Sequence, residues 1–313
     1  MPRLTVLGSL NMDISVAVPR LPAAGQTVLG SSAVIAPGGK GANQAVAAAR
    51  LGAAVRMTGC TGDDSFGAMA RSALEAEGVD ITGVRVIGGT ATGLALITVD
   101  SSGENIITVA AGANGHVGET ETAAALSVGG DVLVLSAEIP GAVLAAALAD
   151  ARAIGLVCLL NLAPAPPDAS DAVALLAGGV DWLVVNESEA GAVLGRAVTG
   201  LSEAGSAARD LCGLGARHAV VTAGSRGAAV AGPSVSEAVQ AFKVDSVDSV
   251  GAGDAFVAAL GVALAAGLPA AEAVRAASAA GATATTRRGT QDGLPRASDI
   301  LAATGVTWPV APD

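Results

Sequence analysis

The sequence predicts an α/β protein: a doubly wound, mostly parallel sheet with helices on both faces, plus a small β-sheet lid. Three observations carry this reading. Strand-like apolar runs alternate with helical segments along most of the chain. Those runs are continuous rather than alternating, as in strands buried on both faces. Two stretches rich in Val, Thr, Ile, Ser and Gly break the rhythm and carry extended runs without helix signals.

The opening segment Leu4–Gly8 reads as a short buried strand. The first β-rich stretch, 13–35, follows it. Helix signals at 41–51 and 65–77 then flank a strand at 55–59. The second β-rich stretch, 82–109, holds extended runs at 91–99 and 104–109. They are joined by Asp100-Ser-Ser-Gly103, which predicts a hairpin with a Gly-containing turn. Strand signals at 131–135, 156–160, 182–185 and 218–222 alternate with helix signals at 141–154, 187–194 and 203–214. A long apolar helix follows Asp248 and runs to about Leu268. On this reading 1–12, 36–81 and 110–313 form the core. Segments 13–35 and 82–109 form the lid over the strand ends.

With 313 residues, 51% of them hydrophobic, the chain can bury a substantial core. Aromatics are only 2% and Tyr is absent, so Ala, Val and Leu must fill that core at close helix–sheet spacing. The same shortage excludes a stacking platform for single-stranded nucleic acid. Lys and Arg number 17 against 28 Asp and Glu, a net charge of -11, which excludes the basic footprint of a nucleic-acid binder. Cys60, Cys158 and Cys212 are odd in number and form no Cys-x-x-Cys pair, so they read as reduced thiols. The only histidines, His116 and His218, lack ligand spacing. The N-terminus lacks a signal-peptide pattern, and the longest apolar stretch, 257–268, falls short of the about 20 residues that span a bilayer. A soluble cytoplasmic protein is expected.

Five motifs carry the chemistry. Asp248-Ser-Val-Gly251-Ala-Gly253-Asp254 precedes the long apolar helix. Its glycines let several N–H groups converge where the helix dipole adds positive potential, which makes an anion hole. An Asp at its mouth suits a base that takes a proton from an attacking nucleophile; the plain alternative is a helix cap. Pro37-Gly38-Gly39-Lys40-Gly41-Ala42-Asn43-Gln44 opens another helix, with Lys40 and Asn43 on one face, suited to a polyhydroxylated ligand or to a solvated helix start. It is not a Walker A loop, since Gly follows Lys40. Gly8-Ser-Leu-Asn11-Met-Asp13 leaves the first strand where open α/β sheets bind ligands, or forms a simple turn. Asn186-Glu187-Ser188-Glu189 can order Mg²⁺ and phosphate, or close a capping box. Thr222-Ala-Gly224-Ser225-Arg226-Gly227 can touch phosphates or serve as a turn. No Gly-x-Gly-x-x-Gly follows the first strand and no Gly-x-Ser-x-Gly occurs, which disfavours a dinucleotide oxidoreductase and a Ser-His-Asp hydrolase.

In this order the motifs resemble the ribokinase family of carbohydrate kinases, also called the pfkB family. The match spans essentially the whole chain. Beyond the five motifs it includes the run Gly38–Gly52, Thr61-Gly-Asp-Asp64, Glu77-Gly-Val-Asp80, Gly103-Glu-Asn105, Gly112-Ala-Asn114 and Asn161-Leu-Ala-Pro164. The resemblance implies a ribokinase-like fold and transfer of the γ-phosphoryl group of ATP to a primary hydroxyl of a small sugar. D-ribose is the expected acceptor, weighed against fructose, deoxyribose, 2-keto-3-deoxygluconate, a nucleoside, or a silent sugar-binding regulator. It implies Asp254 as the base, with Gly251, Ala252 and Gly253 as the anion hole. Asn11, Asp13, Gly39, Lys40, Asn43 and Glu138 would hold the sugar. Asn186, Thr222, Ala223, Gly224, Ser225, Arg226, Gly227, Gly253 and Ser278 would lie along ATP, with Glu189 organising Mg²⁺. A K⁺ site maps to Asp248, Val250, Ala284, Arg287, Gly289 and Gly293, where Gly293 replaces a usual Ser. Met12 stands where a small residue is common and is expected to narrow the sugar pocket. The lid implies a homodimer.

Overall fold

The computed structural model describes residues 1–127 and 129–310. Among them the chain starts with β1 (Arg3–Leu7), β2 (Asn11–Ala17), β3 (Val34–Gly38) and α1 (Lys40–Arg50). Then come β4 (Ala54–Gly62), α2 (Ser65–Ala76), β5 (Asp80–Ile87), β6 (Gly93–Val99) and β7 (Asn105–Ala110). The middle alternates through α3 (Glu119–Leu126), β8 (Val132–Ser136), α4 (Gly141–Ala153), β9 (Val157–Asn161), α5 (Ala169–Ala177) and β10 (Val180–Asn186). After α6 (Glu187–Leu194) and α7 (Gly200–Gly213), β11 (Ala216–Thr222) leads to the hairpin β12 (Gly227–Gly232) and β13 (Val235–Gln240). Four helices follow: α8 (Ala252–Ala265), α9 (Ala270–Ala284), α10 (Thr290–Gly293) and α11 (Ala297–Thr304).

The main sheet runs β13-β12-β11-β10-β9-β8-β1-β4-β5. All neighbours from β11 to β5 are parallel, and only β12 and β13 join antiparallel. Side chains alternate faces along each strand. Leu4, Val6, Val132 and Val134 therefore pack under α1, α8 and α9. Leu7, Leu133 and Leu135 pack on the other face with α4 to α7. Each such fully buried Leu or Val contributes roughly 1.5–3 kcal/mol. From β1 the chain passes to β4 on one side and later returns to β8 on the other. The gap between β1 and β8 is thus a topological switch point, where open α/β sheets hold ligands at their carboxyl ends. No helix among the described residues is long and apolar enough to cross a membrane.

A separate sheet, β3-β2-β6-β7, forms the small layer. Its β6–β7 hairpin turns through Asp100, whose side chain accepts from Ser102 and Glu104 N–H. Its boundaries differ from the sequence-based ones. Residues 82–87 belong to β5 and pair with β4, so they extend the main sheet rather than the lid. Their β-rich composition, without helix signals, groups them with the lid when the sequence is read alone. Residues 11–12 and 36–38 belong to the small sheet through Asn11↔Gly38 and Met12↔Pro37. The expected helix after Asp248 starts at Ala252 and ends at Ala265, where Gly267 with φ 79 turns the chain.

Helix α8 lies hard on the central strands because Gly261 has no side chain. A Cβ there would stand 3.0 Å from Leu4 Cδ2, 3.4 Å from Val134 Cγ2 and 3.5 Å from Leu159 Cδ2. Gly261→Val should therefore destabilise the protein by about 1–3 kcal/mol, the usual cost of overpacking, although Val is the better helix former. Chemical denaturation checks it; an unchanged midpoint would mean that α8 has room to lift.

Candidate active site

The switch point is where the first functional groups meet. Ser9, just past β1, donates its hydroxyl to Glu138 Oε2 at 2.5 Å, just past β8. The Lys40 backbone N–H donates to the same oxygen at 3.1 Å. Helix α1 can start this close because Gly39 has φ 91, and a Cβ there would stand 2.7 Å from Asn11 N. Asn11 Oδ1 accepts from Asn114 Nδ2 at 2.7 Å. Asn114 also accepts from Leu10 N–H at 2.9 Å, so the end of the link from β1 into β2 is fixed. A cavity of about 340 Å³ opens beside Asn11 and Glu138, walled by Val109, Ile139 and Pro164. A wider hollow of about 470 Å³ on the outer edge of the small sheet, between Val18, Leu29 and Asp100, contains none of these groups.

Asp254 sits in the first turn of α8 and is buried. It is not the helix cap that a glycine-turn Asp commonly is: Gly251 occupies that position with φ 78. A Cβ on Gly251 would lie 3.0 Å from Thr290 O. The Asp254 carboxylate instead accepts from Asn43 Nδ2 at 2.9 Å and Gln44 Nε2 at 3.1 Å, both on α1. Gln44 Oε1 is buried without a partner among the described residues, which costs roughly 1–3 kcal/mol. The first N–H groups of α8 lack an intrahelical acceptor, and Ala252 N reaches only Ser249 O at 3.3 Å. Gly251, Ala252 and Gly253 thus stand beside the buried carboxylate at a positive helix end.

Burial raises the proton affinity of Asp254, with Glu138 adding to the rise; Lys40 and the Asn43 and Gln44 amides oppose it. Burial alone would lower the Lys40 ammonium, yet Asp254, Glu138, Glu189 and Asp13 together hold it above its ordinary value. Asp13 is pushed up to about 6 by burial, then by Glu138 and Asp254, against Lys40. Burial also raises Glu189, with the Asn186 N–H and Lys40 opposing. One lysine therefore serves four carboxylates. A buried carboxylate with raised proton affinity is a competent general base near neutral pH.

The second half of the site lies at the ends of β10 and β11, where Asn186 pairs with Thr222. Asn186 and Glu189 close a capping box, each bond 2.8 Å, which commits Glu189 Oε2 to the Asn186 N–H. Ala223 is buried, and residues Gly224–Arg226 form a 3-10 turn rather than a plain β-turn, with Gly227 beginning β12. Ser225 is exposed on that turn. Arg226 is held on Glu187 at 2.5 Å, so its guanidinium is not free. Ser278 donates to Val274 O within α9. Asp248 accepts from Val250 N–H and Gly289 N–H, both at 3.0 Å, and so ties the turn before α8 to the loop before α10. A Cβ on Gly293 would lie 3.4 Å from both Ala284 O and Arg287 O.

One expectation changes. Met12 is fully buried on the face of β2 opposite Asn11 and Asp13, so it does not narrow their side of the strand. Groups absent from the sequence-based set prove central. Ser9 and Gln44 lay inside motifs already singled out, two residues from Asn11 and one from Asn43. Asn114 and Asn161 lay in runs with no assigned role. Gln291, which donates to Asn43 Oδ1 at 3.1 Å, carried no local signal.

The model of the pfkB family of carbohydrate kinases matches residues 1–297. A ribokinase from Haemophilus influenzae is 36% identical over 302 residues, covering 95% of this chain and 97% of that protein. A ribokinase from Schizosaccharomyces pombe is also 36% identical, with 96% and 97% covered. Among solved structures, an Arabidopsis thaliana ribokinase complexed with ribose and ATP superposes with a TM-score of 0.83 at 28% identity, covering 96% of this chain and 98% of that one.

The electrostatics make a stability prediction. Because Asp13 is raised from 3.8 to about 6, ionising it in the folded state is unfavourable. Stability tied to its protonated form is full below pH 3.8 and is lost as pH rises through 6. Asp13→Asn should thus raise the melting temperature at pH 8 and leave it unchanged near pH 4. Parallel melts at the two pH values check this; equal shifts at both would mean that Asp13 titrates normally.

Proposed function

The chain belongs to the pfkB family of carbohydrate kinases, and we propose that it is an ATP-dependent ribokinase that transfers the γ-phosphoryl group to the primary 5-hydroxyl of D-ribose. The observation that carries the reading is Asp254: a buried carboxylate at a helix N-terminus, facing Asn43 and Lys40 at the switch point. Its ribokinase relatives, nearly full-length matches, support ribose over other acceptors. The Arabidopsis structure supports a site for both sugar and nucleotide.

In this mechanism Asn11, Asp13, Lys40, Asn43 and Glu138 hold the sugar hydroxyls, and Gly39 lets the backbone approach them. Asp254 orients the 5-hydroxyl and takes its proton as the oxygen attacks. The N–H groups of Gly251, Ala252 and Gly253 receive the charge developing on the transferring phosphoryl group. Asn186, Thr222 and the 223–227 turn line the nucleotide. Mg²⁺, when bound, would neutralise phosphate charge, and the Glu189 carboxylate, a hard oxygen donor, would help to hold it. The small sheet would close over the sugar and exclude water. Its exposed apolar side chains, Val34, Ile35, Leu96, Ile106, Ile107 and Val109, support a homodimer through that layer.

A monovalent cation fits the turn around Asp248. The groups there are a carboxylate and main-chain carbonyls, all hard oxygen donors, and the Ala284 and Arg287 carbonyls converge on Gly293. Asp248, Val250, Ala284, Arg287 and Gly289 would hold K⁺, with Gly293 lacking the hydroxyl donor.

Two outcomes test this. Purified protein should phosphorylate ribose in a coupled assay, and Asp254→Asn should lower kcat by about 10²–10⁴ while sugar and ATP binding persist. Near-normal turnover in folded Asp254→Asn would remove the base, and no turnover of ribose by the wild type would remove the substrate. Separately, K⁺ should activate more than Na⁺, and Gly293→Ser, which has room, should lower the half-activating K⁺ concentration. Rates insensitive to K⁺ at constant ionic strength in both proteins would take the cation out of the mechanism.

A further inference from the structure

Resting on the ribose-kinase reading, we propose that Gln291 is a positioning residue that fixes which end of the Asn43 amide faces Asp254. A primary amide has a donor end and an acceptor end of nearly equal size. Turned the wrong way, Asn43 would set a lone pair against the base and present the wrong group to a sugar hydroxyl. Asn43 Nδ2 donates to Asp254 Oδ2 at 2.9 Å, and Gln291 Nε2 donates to Asn43 Oδ1 at 3.1 Å. With Gln291 presenting Nε2, that second bond forms only in the productive orientation.

Gln291 is itself anchored through its backbone. Arg50 Nη1 donates to Gln291 O at 2.6 Å and to Leu294 O at 2.9 Å, and Arg50 is paired with Glu77 at 2.5 Å. The other arm of the base is built the same way. Gln44 Nε2 reaches Asp254 Oδ1 and Asn161 Oδ1, both at 3.1 Å. Asn161 Nδ2 donates to Val184 O at 3.3 Å, an acceptor that cannot reverse. The orphaned Gln44 Oε1 is the counterpart of this choice: its donor end serves two acceptors while its acceptor end has none. Each amide touching Asp254 thus has a second hydrogen-bond partner behind it, Gln291 for Asn43 and Asn161 for Gln44. Gln291 is the more accessible of these partners, being only half-buried, so it can be changed without hollowing the core.

Two variants of nearly equal volume separate polarity from packing. Gln291→Met removes the donor; Gln291→Glu, ionised at pH 8, can only accept and turns Asn43 around. Ribose affinity by calorimetry without nucleotide should fall about 3- to 10-fold in Gln291→Met, the worth of one hydrogen bond. It should fall further in Gln291→Glu. The KM for ATP and the melting temperature should stay near wild type. Equal ribose affinity in all three proteins, or equal losses in Met and Glu, would overturn the inference while leaving the kinase reading intact. A wild type that neither binds nor phosphorylates ribose would instead overturn the function on which it rests, and the inference with it.

Discussion

The buried negative charge of Asp254 is the constraint on which the rest of this site depends. An isolated carboxylate cannot remain ionised away from water. Here the compensation is distributed. The first turn of α8 supplies partial positive charge, two amides from α1 supply hydrogen bonds, and Lys40 supplies the full charge. Remove any one and the base drifts towards its protonated, inactive form. Lys40 is shared with Glu138, Glu189 and Asp13, so the compensation is incomplete and the proton affinity stays raised. That is the useful condition: a base too well compensated would not take a hydroxyl proton.

The compensation requires α1 and α8 to approach closely, and composition permits it. Helix α1 faces the core with Ala42, Ala45, Val46, Ala47 and Ala48, and α8 with Ala255, Ala258, Ala259 and Gly261. Small side chains bring the two helices and the sheet near enough for Asn43 and Gln44 to reach Asp254, 211 and 210 residues away in sequence. A sequence almost without aromatics is therefore more than a compositional oddity. It lets the N-termini of two helices converge beside the strand ends of the switch point.

Much of this was legible beforehand because period and punctuation are local. The helices at 65–76, 141–153 and 187–194 follow from apolar spacing, and the parallel sheet from its continuous runs. The lid boundary was not legible, because β5 looks like a lid strand until its pairing with β4 is known. The family motifs pointed to Asp254, Lys40 and Asn43, since each sits beside a glycine turn that marks a helix start. Their orienting partners were not legible. Asn114, Asn161 and Gln291 matter only through contacts at separations of 103, 117 and 248 residues, and nothing in their own neighbourhoods reports those contacts.

The acidic balance of the chain sharpens what the nucleotide half must do. At a net charge of -11 the protein repels a polyphosphate at long range, and eight of its 17 basic side chains are paired with carboxylates. Arg226 is paired with Glu187, Arg50 with Glu77, and Arg287 with Asp299. Attraction must then arise within a few ångströms, from N–H groups at helix starts, from Lys40, and from cations that accompany the phosphates. Such forces act only on a group already in position. Under the kinase reading this makes charge stabilisation conditional on correct placement, so the geometry that selects the substrate is also the geometry that lowers the barrier.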